Sequence, residues 1–288
     1  SGGDAKAGAA AARTAKARTR RKGIAERISP ATATVNLLKW PMRRKQFAAR
    51  VWAKLILHER AHGLLRPGDR VIAAVSGGPD SVCLAHYLAQ RKAALKLIVT
   101  LLHVHHGLRG RAADADARFV ETLGRQFDLA VVVVKAAVLK RARQRGKGLE
   151  DAARELRYAA IARQAKRLRC GVAAVGHQLD DQAETVLLHL LRGTRLSALA
   201  AMSPSRPLVR GVRLVRPLLP LRREEVEEYL RQHDLRSRLD RSNLSMEFTR
   251  NWLRREIIPA LAKRQPQVRE HLAGIAAQVQ ALTLPQAR

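Results

Sequence analysis

Four short apolar runs, each followed by a stretch with helical spacing, constrain this chain more than any other feature of its sequence. The runs are VIAAV at 71–75, KLIVTLLHV at 96–104, AVVVVK at 130–135 and VAAVG at 172–176. Helical stretches follow them near 80–91, 112–127, 148–168 and 179–192. Continuous apolar runs suit strands buried on both faces, and strand–helix alternation at this spacing predicts a parallel sheet with right-handed crossovers. Before the first run, QFAARVWAKLILHERAHGL places Phe47, Val51, Leu55 and His58 on one helical face and ends at Gly63. After RPLLPLRREEVEEYLRQHDL the pattern is helical to the end, apart from a loop at 237–247. The expected organisation is a basic low-complexity extension over 1–45, an α/β parallel-sheet domain over 46–220, and a helical segment over 221–288 that completes it.

The first run ends in Ser76-Gly77-Gly78-Pro79-Asp80-Ser81. Pro79 suits the first position of a helix, where its missing N–H costs nothing. A strand, a glycine turn and a helix N-terminus together present backbone N–H groups to an anion. The turn is neither GxxxxGK[ST] nor GxGxxG, which excludes the common mononucleotide and dinucleotide loops. It predicts a compact cradle for a pyrophosphate, closed by the hydroxyls of Ser76 and Ser81. Asp80 can serve the helix dipole. An acid beside a phosphate cradle also suits Mg²⁺, because without a cation the two repel.

Three later stretches carry further polar residues. LLHVHHGLRG brings His103, His105 and His106 to the end of the second run, where open α/β sheets place ligands. His103 and His105 alternate about Val104, so one of them is expected to face the core, and polar contact to substrate is favoured over a metal. GHQLDDQAETVLLHLLRGT sets His177 just past a strand end and Asp180, Asp181 and Glu184 at a helix start. Asp181 and Glu184 share a face at i, i+3. Three acids in so basic a chain point to Mg²⁺ or amine binding beyond neutralising a helix terminus. LDRSNLSMEFTRNWLRREIIPAL supplies Asp240, Asn243, Arg250, Asn251, Arg254 and Arg255 ahead of an apolar helix face. The arginines suit phosphate, as do Arg154 and Arg157 in EDAARELRY.

Lys and Arg number 55 against 24 Asp and Glu, a formal net charge of +31. That field favours a polyanionic partner, nucleic acid first. Aromatic residues are 3% of the chain, too few for a base-stacking platform. Cys83 and Cys170, the two cysteines, are far apart and form no CxxC pair, which argues against a disulfide framework or a cysteine metal cluster and for a reducing compartment. No apolar run approaches the ~18–20 residues that span a bilayer. SGGDAKAGAAAARTAKARTRRKG reads as a basic nucleic-acid arm, an organellar transit peptide, or sequence upstream of a start at Met42.

SGGxDS after a strand resembles the signature of the PP-loop ATP pyrophosphatases, enzymes with a Rossmann-like sheet that cleave ATP between its α and β phosphates. HVHHGLR, GLEDAARELRY, GHQLDDQAET, RGT, RPLL and D-x-S-N followed by RN-x-LR, in that order, resemble the tRNA(Ile)-lysidine synthetases from about Phe47 to about Leu261. The resemblance implies a cytoplasmic bacterial ligase that uses ATP and Mg²⁺ to adenylate O2 of the wobble cytidine in a CAU anticodon. A lysine amine then displaces AMP. A homodimer is one expected state. It also implies that Ser76 to Ser81 grip the pyrophosphate, that Asp80 and Asp181 hold Mg²⁺, that Asp181 and Glu184 orient lysine, and that His106 or His177 moves protons. Arg154, Arg157, Asp240, Asn243, Arg250, Asn251 and Arg254 are then candidates for tRNA or lysine contact. The chain departs from the family's glycine-rich RGSGxxGLxGM loop, with Arg195, Ala198 and Ala201 where glycines are usual. The alternatives are a tRNA 2-thiolation enzyme of the same superfamily, for which paired cysteines are wanting, and a non-catalytic tRNA-binding protein.

Overall fold

The structure is a computed structural model, and it describes residues 42–105, 111–135, 149–238 and 249–283. Chain order runs α1 (Met42–Ala61), β1 (Arg70–Ala74), α2 (Pro79–Leu95), β2 (Ile98–His105), α3 (Arg111–Phe127), β3 (Ala130–Lys135), α4 (Leu149–Arg167), β4 (Val172–Ala174) and α5 (Leu179–Leu191). A 3₁₀ turn (Leu196–Ala200) leads to β5 (Ser205–Val209) and β6 (Val212–Val215). Then come α6 (Arg223–Gln232), α7 (Thr249–Trp252), a π turn (Leu253–Ile257), α8 (Ile258–Arg264) and α9 (Val268–Thr283).

One six-stranded sheet has the order β3-β2-β1-β4-β6-β5. Its first five strands are parallel, so the α/β reading holds, but β5 pairs antiparallel with β6. This terminal hairpin is absent from the sequence expectation. Ser205–Val209 carries Arg206 and Pro207, and a proline lacks the N–H that an inner strand must donate, which suits an edge. Strand order reverses direction between β1 and β4, the place where open α/β sheets bind ligands beyond the carboxyl ends of their strands.

Burial on both faces explains the apolar runs. Val71 and Ala73 of β1 face one way, onto Val51 and Leu55 of α1, Val82 and Leu84 of α2 and Tyr229 of α6. Ile72 between them faces the other way, with Leu102 of β2 and Ala160 and Ile161 of α4. This is the period of two that a pleated strand imposes. A separate cluster joins Ala183 and Val186 of α5 to Ile258 of α8 and to Leu272 and Ala276 of α9, which ties the C-terminal helices to the sheet domain. Gly63 closes α1 with φ +53°, as the helix-end reading requires. No helix among the described residues is long and apolar enough to cross a membrane.

Candidate active site

The glycine turn sits at the carboxyl end of β1, beside the strand-order reversal. Gly77 takes φ +98°, a conformation open to glycine and costly to other residues. Space is restrictive there too, since a Cβ on Gly77 would lie 3.2 Å from the Phe119 ring. Hydroxyls hold the turn closed. Ser81 Oγ accepts from Gly77 N at 3.0 Å and donates to Gly78 O at 2.8 Å, while Ser76 Oγ lies 3.3 Å from Ser81 Oγ. Arg238 N donates to Gly77 O at 2.9 Å and covers the turn from outside. Helix α2 starts at Pro79 with no side-chain cap, so its positive end is left for an anion.

Asp80 lies in the first turn of α2, and its Oδ1 is buried with no hydrogen-bond partner among the described residues. Burial first, then the charge of Asp181, raises its pKa to about 7. The segment just after β4 presses against it from the far side of the reversal, because a Cβ on Gly176 would lie 3.0 Å from Asp80 O. An unpaired buried carboxylate beside a second acid is the donor chemistry that a divalent cation suits. No group of three or more His, Cys, Asp and Glu stands ready for a metal among the described residues. The fit is therefore to Mg²⁺ held by one or two carboxylates together with phosphate oxygens and water.

The acids of α5 are engaged on all sides. Gln178 caps the helix, with its Oε1 accepting from Asp180 N at 2.7 Å, and Asp181 Oδ2 accepts from Gln178 N at 3.1 Å. Asp180 receives Arg269 Nε at 2.7 Å and Arg223 N at 2.9 Å. Glu184, 0% exposed, accepts from Arg250 Nε at 2.9 Å and from Arg254 Nη2 at 2.9 Å. Arg254 Nη2 also reaches Asp181 Oδ1 at 3.3 Å, so one guanidinium bridges the i, i+3 pair. Sequence reasoning brought these acids and arginines to one place but did not foresee their pairing. Arg223 and Arg269 were missed; each stands in a helix whose charges read as ordinary solvated ones.

A second cluster is almost purely cationic. His177 follows β4, and Arg216 Nε donates to its Nδ1 at 3.3 Å. The guanidinium carbons of Arg154, Arg157 and Arg206 lie 5.4, 5.7 and 5.5 Å from the Tyr158 ring centroid, within cation–π range. Burial, then Arg216, Arg157, Arg154 and Arg250, pushes the His177 pKa well below that of free histidine. Burial also lowers the Arg157 pKa. Arg216 and Tyr158 lie in RPLL and EDAARELRY, and those motifs were the available signal for them.

The histidines of β2 divide as alternation requires. His103 is 5% exposed and its Nδ1 bonds Val75 O at 2.9 Å. It therefore braces the β1 end and is the one of the pair that faces the core. His105 is less buried, 3.1 Å from Asp114. His106, Asp240 and Asn243 lie outside the described residues, as does most of the 237–247 loop. Asn251 lies on α7, one residue after Arg250. In the altered loop, Ala201 has φ +47°, a strained conformation at a position where the family usually has glycine. Cys83 and Cys170 are both buried, and burial raises both thiol pKa values.

A family model described as a PP-loop domain matches residues 49–261. The chain belongs to the PP-loop family. This PP-loop domain is 47% identical over 203 residues to the tRNA(Ile)-lysidine synthase of Symbiobacterium thermophilum, covering 70% of this chain and 42% of that protein. It is 41% identical over 215 residues to the tRNA(Ile)-lysidine synthase of Geobacter sulfurreducens, covering 75% of this chain and 45% of that one. It thus spans a little under half the length of these curated relatives. Among solved structures, the U34-tRNA thiolase NcsA from Methanococcus maripaludis, with its 4Fe–4S cluster, has a similar fold. The TM-score is 0.67 at 18% identity, over 82% of this chain and 80% of that one.

Proposed function

We propose that this PP-loop domain uses ATP to join lysine to the wobble cytidine of the CAU anticodon of tRNA(Ile), forming lysidine. The observation that carries the reading is the convergence of Gly77, the uncapped start of α2 and Asp80 with the acid–arginine cluster of α5 and α7, in a chain similar to tRNA(Ile)-lysidine synthases. Cytidine O2 attacks the α-phosphorus of ATP, a P–O bond forms, and pyrophosphate leaves. The lysine amine then adds to C2, AMP departs with O2, and the amine loses a proton.

In this reading Ser76 to Ser81 hold the leaving pyrophosphate still, so that attack proceeds in line. Asp80 and Asp181 would hold Mg²⁺, which when bound offsets the charge developing between the phosphates. Arg250 and Arg254, anchored by Glu184, carry positive charge towards Asp181 and the turn. Arg154, Arg157 and Arg216 line the neighbouring cationic cluster, which suits the phosphates of the anticodon loop. Glu184, wholly buried between two guanidinium groups, serves as their anchor and not as a direct lysine ligand. Two separate buried thiols of raised pKa favour this reading over sulfur transfer.

The test combines the protein, ATP, labelled lysine and unmodified isoleucine tRNA with a CAU anticodon. Lysine incorporation and AMP release are expected, both lost in Asp80→Asn. Incorporation of labelled sulfur, or tRNA binding without AMP release, would overturn the reading.

A further inference from the structure

Arg216 follows directly on β6 and is 3% exposed, unusual burial for a cation. Its backbone and its guanidinium are held from several sides. Its Nη1 donates to Ser203 O at 2.5 Å, and its backbone N donates to Pro204 O at 2.9 Å. Its carbonyl accepts from His58 Nε2 of α1 at 3.2 Å. The guanidinium is therefore pinned between the loop that follows the 3₁₀ turn and the start of α5. Its Nε points at His177 Nδ1, 3.3 Å away.

A guanidinium has N–H donors and no acceptor. The His177 nitrogen that faces it must therefore accept, and the single ring proton of the neutral imidazole stands on Nε2. Charges facing the ring reinforce this. Arg216 approaches from the β6 end, Arg154 and Arg157 from α4, and Arg250 from α7. A second proton on His177 would add a fifth positive charge beside these four. Burial and these cations both hold the ring neutral.

We propose that Arg216 is a positioning residue that holds His177 as its Nε2–H tautomer, so that His177 donates a hydrogen bond to an oxygen of the bound substrate and does not carry a proton. The role at the substrate rests on the lysine-transfer reading; the tautomer does not. The proposal removes His177 from the proton-transfer roles the sequence allowed it. It also gives the RPLL arginine a task, namely orienting a ligand-facing ring from behind, as outer-shell partners orient histidine ligands in other sites.

The test is nitrogen NMR on protein labelled at histidine, with the His177 signals assigned by their loss in His177→Gln. The wild type is expected to show the Nε2–H pattern alone, unchanged from pH 5.5 to 8.5. Arg216→Met removes the donor and one cation while filling a similar volume. It is expected to give mixed tautomers and a ring that titrates in that window, and Arg216→Lys to restore part of the Nε2–H pattern. An Nδ1–H pattern in the wild type, or an unchanged tautomer in Arg216→Met, overturns the proposal. If Arg216→Met does not fold, His177→Gln carries the test, because its amide nitrogen donates from the Nε2 position but moves no proton. Lysine incorporation within about tenfold of wild type is expected for Gln, against a loss on the order of 10²–10³ for Ala, the cost of one lost oxyanion donor. Gln as inactive as Ala overturns the proposal. Absence of lysine incorporation in the wild type overturns the substrate reading alone, since the tautomer is read without turnover.

Discussion

Asp80 combines a place in the proposed site with an energetic penalty, and its titration exposes both. Its carboxyl sits at about 7 in the fold, chiefly from burial, against 3.8 for an ordinary aspartate. The folded protein therefore keeps a proton there that the unfolded chain releases between those values. Its contribution to stability is fully present below pH 3.8 and is lost as pH rises through 7. At pH 8 the ligand-free fold must hold a buried, ionised Asp80 whose Oδ1 has no partner among the described residues. Asp80→Asn removes that charge at constant shape. Its melting temperature should exceed that of the wild type by about 4 °C or more at pH 8 and by much less at pH 4, given ~2–4 °C per kcal/mol for a chain of this size. Scanning calorimetry at both pH values measures it, and an equal gain at the two would show that the carboxylate is not strained by burial. Stabilisation coupled to loss of the proposed adenylation would be the pattern of a site tuned for function at the expense of stability.

The acid cluster on α5 shows how elements, and not single residues, hold the site together. Glu184 reaches Arg250 and Arg254, which lie 66 and 70 residues further along the chain. Removing one member of a buried ionic group leaves the others uncompensated, at a cost of about 3–5 kcal/mol. Glu184→Gln keeps the volume and halves the acceptor capacity facing two guanidinium groups. Hydrogen exchange should then quicken over Thr249–Arg264 while the amides of β1 and β4 stay protected. Equal protection in α7 and α8 would mean that the apolar contact of Ile258 with Ala183 and Val186 suffices to dock them. The same separation explains what was legible beforehand. The i, i+3 spacing of Asp181 and Glu184 is local and readable, whereas their arginine partners are brought close only by folding. Four strands were readable because VIAAV, KLIVTLLHV, AVVVVK and VAAVG are continuous apolar runs. The β5–β6 hairpin was not, because each strand is short and broken by an arginine, and SRPLV also contains a proline. The π turn at Leu253–Ile257 interrupts a segment that reads as one plain helix, and such single π turns are frequent at functional sites.

At the scale of the whole molecule the question is where the charge of +31 acts. Around α5 it is largely quenched, since Asp180, Asp181 and Glu184 each meet an arginine. Around Tyr158 and His177 no acid forms an ion pair with Arg154, Arg157, Arg206 or Arg216 among the described residues. That cluster keeps its field and is the part of the fold best suited to a phosphate backbone. The segment before Met42 adds nine Lys and Arg against two acids. Under the proposed function these are two separate sources of tRNA affinity, and they separate by experiment. Affinity for tRNA should fall by about 10³ between 50 and 200 mM salt, as six or more phosphate contacts require. Lysine, a small ligand bound without counterion release on that scale, should show little such dependence. Replacing Arg154 and Arg206 with alanine should lower the slope of log affinity against log salt by about 2, close to one unit per lost phosphate contact. Deleting residues 1–38 should lower the slope further and leave ATP binding unchanged. Filter binding across a salt series reads both slopes. A slope that responds to the deletion but not to the two arginines would place the nucleic acid on the extension and leave the Tyr158 cluster to the small substrates.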